Sequence, residues 1–127
     1  MTISSVRYIV DDVEASVSFY TERLGFHVEM APGPGFARLR RDDLVLLLNS
    51  RGAGGAGQPL SDGQVPEPGG WSRFQLEVAD LDAEILALSA AGARFRGEAV
   101  TGRGGRQVLL EDPAGNVVEL FEPADRS

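Results

Sequence analysis

The chain has no cysteine, which removes disulfides, thiolate metal centres and cysteine nucleophiles from consideration at once. It has a single histidine, His27, placed just after the first helical pattern, where a lone imidazole reads as a surface or pocket-rim residue. Positive charge is in deficit: the formal net charge is −7 and the sequence pI is near 4.6, against the clustered positive potential that a nucleic-acid surface needs. No apolar run approaches the length of a membrane span. The start, Met1-Thr2-Ile3-Ser4-Ser5, lacks a basic segment ahead of an apolar one, so it does not read as a secretory signal and a cytoplasmic location is expected. What remains is a chain of 127 residues, 43% hydrophobic and 24% charged. That is the balance of an ordinary globular protein, long enough for one domain with its own core.

What the sequence does have is a repeat. Val10-Asp11-Asp12-Val13 opens a helical pattern that ends near Gly25, and Val78-Ala79-Asp80-Leu81 opens another that ends near Gly92. Asp12 and Asp80 are good N-caps, since a short carboxylate accepts from the first unpaired helix amides. Val13, Val17, Tyr20 and Leu24 give the first helix its apolar stripe; Leu81, Ile85 and Leu88 give the second. Alternating runs at residues 3–10, 26–31, 35–41 and 44–49 predict strands around the first helix. The second module predicts a strand through Phe74, Leu76 and Val78 and further strands near 93–100, 105–111 and 116–122. Module one then spans about residues 1–50 and module two about 71–127, joined by a Gly/Pro-rich connector or pocket lid at about 51–70. The expected fold is α+β: two tandem βαβββ modules forming a curved mixed sheet around a cavity, with the helices on the outer face.

Alternation also nominates a helix-free face. It collects Arg7 and Ile9; Phe36, Arg38 and Arg40; Leu44, Leu46 and Leu48; Arg73, Gln75 and Glu77; Gln107, Leu109 and Glu111; and Val117, Glu119 and Phe121. Apolar residues mixed with a few charges suit a small-molecule pocket or a subunit interface better than open solvent. Trp71, the only tryptophan, opens the fifth strand beside the Gly/Pro segment, where it either stacks on a flat ligand or joins the core.

The motif Val10-Asp11-Asp12-Val13-Glu14-Ala15-Ser16, then Phe19-Tyr20, then Leu24-Gly25-Phe26 resembles the first-module signature of the vicinal oxygen chelate superfamily. Glu111-Asp112-Pro113-Ala114-Gly115-Asn116-Val117-Val118-Glu119-Leu120 is similar to its closing signature. That superfamily includes glyoxalases, extradiol dioxygenases, fosfomycin-resistance enzymes and bleomycin-binding proteins. The resemblance implies a divalent metal held at four equivalent strand positions, usually by His, Glu or Gln, His and Glu. In this chain those positions fall on Ser5, near Leu46, on Arg73 and on Glu119. Only Glu119 is an ordinary ligand; Leu46 has no donor atom, and the guanidinium of Arg73 is a permanent cation. No metal and no cofactor are therefore expected.

With no ligand set, Arg73 and Glu119 are expected to pair, either anchoring a polar group of a ligand or forming a purely structural bridge. The leading expectation is a metal-independent protein that sequesters an apolar or aromatic, antibiotic-like molecule, an aromatic or cationic natural product suiting it best. The candidate binding residues are Arg7, Ile9, Phe36, Arg38, Leu46, Leu48, Trp71, Arg73, Gln75, Gln107, Leu109, Glu119 and Phe121, with no catalytic residue assigned. The chain then resembles the bleomycin-resistance branch, and that resemblance implies a homodimer. The alternative is a lyase or isomerase using a pocket carboxylate such as Glu119, Glu77 or Glu111, or a metal site in another register. A partner-binding dimer with a vestigial cavity is the third reading.

Overall fold

The computed structural model describes residues 3–124, so Met1 and Thr2 of the N-terminal stretch lie outside the described residues. The first repeat begins with strand β1 (Ser5–Val10) and helix α1 (Val13–Arg23), followed by β2 (His27–Gly33), β3 (Phe36–Arg41) and β4 (Leu44–Ser50). The second runs β5 (Arg73–Glu77), α2 (Leu81–Ala90), β6 (Arg94–Phe95), β7 (Val100–Thr101), β8 (Gly105–Glu111) and β9 (Val117–Pro123). The fold is α+β, with the strands in two mixed sheets. One has the order β1-β4-β3-β2; the other has the order β5-β9-β8-β6, with β7 also on β8. Each sheet has one parallel pair, β1 with β4 and β5 with β9, and antiparallel pairs elsewhere. The chain separates into two compact units: one runs through Gly69 and takes in Pro113–Gly115, the other holds Gly70–Asp112 and continues from Asn116.

The two helices start and stop by the same local chemistry. Asp12 and Asp80 sit in extended backbone, and each carboxylate accepts from the amide three residues on, Ala15 and Ala83, at 3.1 Å. At the other end Gly25 (φ +73) and Gly92 (φ +84) take the left-handed conformation that an L side chain resists. That turn returns the amides of Phe26 and Ala93 to the carbonyls of Tyr20 and Leu88, at 3.1 and 3.0 Å. Asp80→Ala should therefore cost about 1 kcal/mol of stability, read as a lower urea midpoint at unchanged slope.

Within each unit the helix covers one sheet face. In the first unit Tyr8, Val10, Ala37, Leu39, Leu46 and Leu48 are buried together with Val13, Tyr20 and Leu24 of the helical stretch. Tyr20 is the hinge of an aromatic group, edge-on to Phe19 and Phe26 with centroids 5.2 and 5.5 Å away. In the second unit Phe74, Leu76, Val108, Leu110, Val118 and Leu120 are buried, as are Leu81 and Leu88.

Two expectations need correction. The strand expected near 93–100 is two short pieces, because the chain bends at Arg96 and Gly97, and Gly97 has φ +86, incompatible with continued extension. Leu46 and Leu48 do not lie on the helix-free face. Leu46 pairs with Leu39 and Val6, and Leu48 pairs with Ala37 and Tyr8, so both belong to the helix-covered side and have no exposed surface. Leu44, two residues before Leu46 and paired with Arg41, shares that side. The residues of β4 on the helix-free face are instead Val45, Leu47 and Asn49, paired with Arg40, Arg38 and Phe36.

The glycine-rich segment is folded on itself. Gly52 donates to Gly57, Gly57 to Ala53 and Ala53 to Ser50, while the Gln58 amide donates to the carbonyls of Gly52 and Gly54. Gly57 is buried, and a side chain there would collide with the carbonyl of Ser50, so this position requires glycine.

Candidate functional site

In the second unit, strand register builds the site. Gln75 of β5, Glu119 of β9 and Leu109 of β8 stand in one row across the helix-free face; Glu77, Phe121 and Gln107 form the next. Glu119 is 7% exposed. A carboxylate withdrawn from water this far needs donors on its oxygens, and here each oxygen has one. Arg73 Nε donates to Oε1 at 2.9 Å, and Gln75 Nε2 donates to Oε2 at 2.6 Å. Arg73 Nη1 also donates to the carbonyl of Trp71 at 3.2 Å, tying the strand's entry to the same cluster.

Trp71 is not a core residue; it is 66% exposed. One face of its indole is occupied by the guanidinium of Arg96, whose Cζ lies 4.6 Å from the ring centroid. Arg96 is fixed in turn, donating through Nε to Glu111 at 2.9 Å and through Nη1 to the Gly70 carbonyl at 2.7 Å. Of the sequence candidates, Trp71, Arg73, Gln75 and Glu119 are linked by these bonds, and Leu109, Gln107 and Phe121 share their sheet face. Arg96 was not among the candidates, since no periodicity marks a residue in a bend between two short strands.

In the first unit, Arg7, Ile9, Phe36 and Arg38 stand on the helix-free face as expected from alternation. Arg7, Leu47 and Arg38 form one row; Ile9, Asn49 and Phe36 form the next. Glu29 of the edge strand β2 accepts from Arg38 Nε at 2.9 Å and from Arg40 Nε at 2.7 Å. These two hydrogen bonds, that of Arg40 foremost, hold the Glu29 carboxyl below its ordinary range. His27, the first residue of β2, is exposed and partnered across the sheet with Arg40. Phe36 also contributes to a cleft of about 290 Å³, walled by Val13 and Val17 of α1 and by Ala31 and Pro34, with the Asp12 and Glu14 carboxylates beside them.

The donor set does not suit a divalent metal. Of the four strand positions, one is Ser5, the next is Leu47 once the register of β4 is corrected, the third is Arg73 and the fourth is Glu119. Leucine has no donor, and the guanidinium of Arg73, which repels a cation, donates to Glu119, the one carboxylate among the four. Among the described residues no three His, Asp or Glu side chains are grouped as a metal would need.

The chain belongs to the glyoxalase/bleomycin resistance protein/dioxygenase superfamily, whose sequence profile matches residues 2–120. Solved structures agree on the fold. TnmS3, an antibiotic-binding protein from Streptomyces sp. CB03234, is 25% identical, with 98% of this chain and 97% of that one covered at a TM-score of 0.70. A superfamily member from Sphaerobacter thermophilus is 24% identical over 96% of this chain and 97% of that one, at a TM-score of 0.74. A lactoylglutathione lyase from Agrobacterium tumefaciens is 20% identical, covers 95% and 92%, and has a TM-score of 0.72. No curated protein matches the chain. None of the described helices is long and apolar enough to cross a membrane.

Proposed function

We propose that this chain is a metal-independent small-molecule-binding protein that sequesters an apolar or aromatic, antibiotic-like ligand for self-resistance. The observation that carries the reading is the state of Glu119: the one carboxylate at a ligand position is bound on both oxygens by Arg73 and Gln75. Leu109 and Phe121 beside the cluster, and an exposed indole backed by Arg96, supply the mixed apolar and polar surface that such a ligand requires. The likeness to TnmS3, an antibiotic-binding protein, points the same way. Homodimeric assembly and a cytoplasmic location belong to this proposal.

Titrating the protein with a panel of planar aromatic antibiotics should quench or shift the fluorescence of Trp71, whose open face is the natural stacking surface. The same titration with a chelator present should give the same curve. A flat response across the panel would count against sequestration, and loss of the response on chelation would count against metal independence.

A further inference from the structure

The helix-free face of the first sheet carries charge of the opposite sign to the protein. The chain has a net charge of −7, and all twelve of its basic residues are arginines. Three of them, Arg7, Arg38 and Arg40, share that face with one carboxylate, Glu29. We infer that this face recognises a small organic anion: a molecule joining a carboxylate- or phosphate-like group to an apolar body. The inference deepens the proposed function by naming the charge of its ligand, and it rests on that reading.

The way Glu29 is used carries the argument. It accepts from the Nε of both Arg38 and Arg40, one oxygen to each guanidinium. The Arg38 side chain forms no other hydrogen bond among the described residues, and that of Arg40 adds only a long 3.5 Å contact from Nη1 to the Asp42 carbonyl. One carboxylate thus aligns two guanidinium forks without saturating either. Their side chains remain 29% exposed, within reach of a solute. Arg7, an exposed residue with no ion pair among the described residues, lies in the same row as Arg38, two strands or about 10 Å away. Leu47 stands between them, and half-buried Ile9 and Phe36 occupy the next row. Fork geometry suits a planar carboxylate or a phosphate oxygen pair, and adjoining apolar surface lowers the local dielectric in which the charges meet. A cation, which the overall charge would attract, meets three guanidiniums here.

Two probes of one shape separate the possibilities: 2-naphthoate and 2-naphthylmethylammonium, each titrated calorimetrically into the full chain at one ionic strength. Naphthoate should bind saturably, the ammonium probe should not, and added salt should weaken the naphthoate complex. Arg38→Gln and Arg7→Gln should each weaken naphthoate binding by roughly tenfold or more, the loss expected for one charge-assisted hydrogen bond. Arg7→Gln breaks no ion pair, so it remains informative if Arg38→Gln disturbs the sheet. Equal or tighter binding of the ammonium probe, or naphthoate affinity unchanged in both variants, overturns the anion assignment and leaves ligand binding itself standing. Failure of both probes to bind also overturns it. The Trp71 titration, which reports from the second unit, then decides whether the broader reading falls with it.

Discussion

Leu46→Ala should lower the unfolding free energy by about 2–5 kcal/mol, while Leu47→Ala should cost about 1 kcal/mol or less. The two residues are adjacent, chemically identical and in the same strand, so secondary-structure propensity cancels from the comparison. What differs is the side of the sheet. Leu46 faces the helix-covered core between Leu39 and Val6 with no exposed surface, and its truncation leaves a cavity that the tightly packed neighbours cannot close. Leu47 stands half-buried between Arg7 and Arg38, where shortened side chains can be replaced by water or by the arginine stems. Paired urea denaturation curves followed by far-ultraviolet circular dichroism measure both. A larger loss at Leu47 than at Leu46 would show the opposite register for β4.

The same strand shows where reading the sequence succeeds and where it stops. Both helices were legible because each carries a complete local sentence: an aspartate cap, an apolar stripe and a glycine stop, all acting within a few residues. Arg7, Ile9, Phe36 and Arg38 were placed on the right face because β1 and β3 alternate polar and apolar residues. Leu44-Val45-Leu46-Leu47-Leu48 does not alternate. A strand apolar on both sides offers no phase, and only its partners, Ala37, Leu39 and Tyr8, decide which leucines face the helix. In the candidate site the Arg73–Glu119 pair could be foreseen from the ligand positions that the family resemblance implies. The contributions of Glu29 and Arg96 could not, since they depend on a register shift in β2 and on a bend after β6. Net charge is likewise silent about position. A net value of −7 describes the whole surface, whereas recognition depends on which residues register brings to one face.

Arg73→Met should cost about 3 kcal/mol, and Glu119→Leu should cost clearly less, although both remove the same 2.9 Å bridge. The asymmetry follows from what each change leaves behind. Glu119 has a side chain only 10% exposed, so loss of Arg73 leaves a withdrawn carboxylate with Gln75 as its remaining side-chain donor among the described residues. Arg73 is 29% exposed and keeps the Trp71 carbonyl, so loss of Glu119 leaves a guanidinium that water can reach. Combining the two changes should recover most of the loss, because well-packed apolar groups replace a buried pair at little net cost. The coupling between the single variants then measures the bridge itself. Chemical denaturation of the two single variants and the double variant supplies all three values. Equal costs for the single variants, or a double variant no better than Arg73→Met, would mean that Glu119 does not depend on Arg73 for its charge.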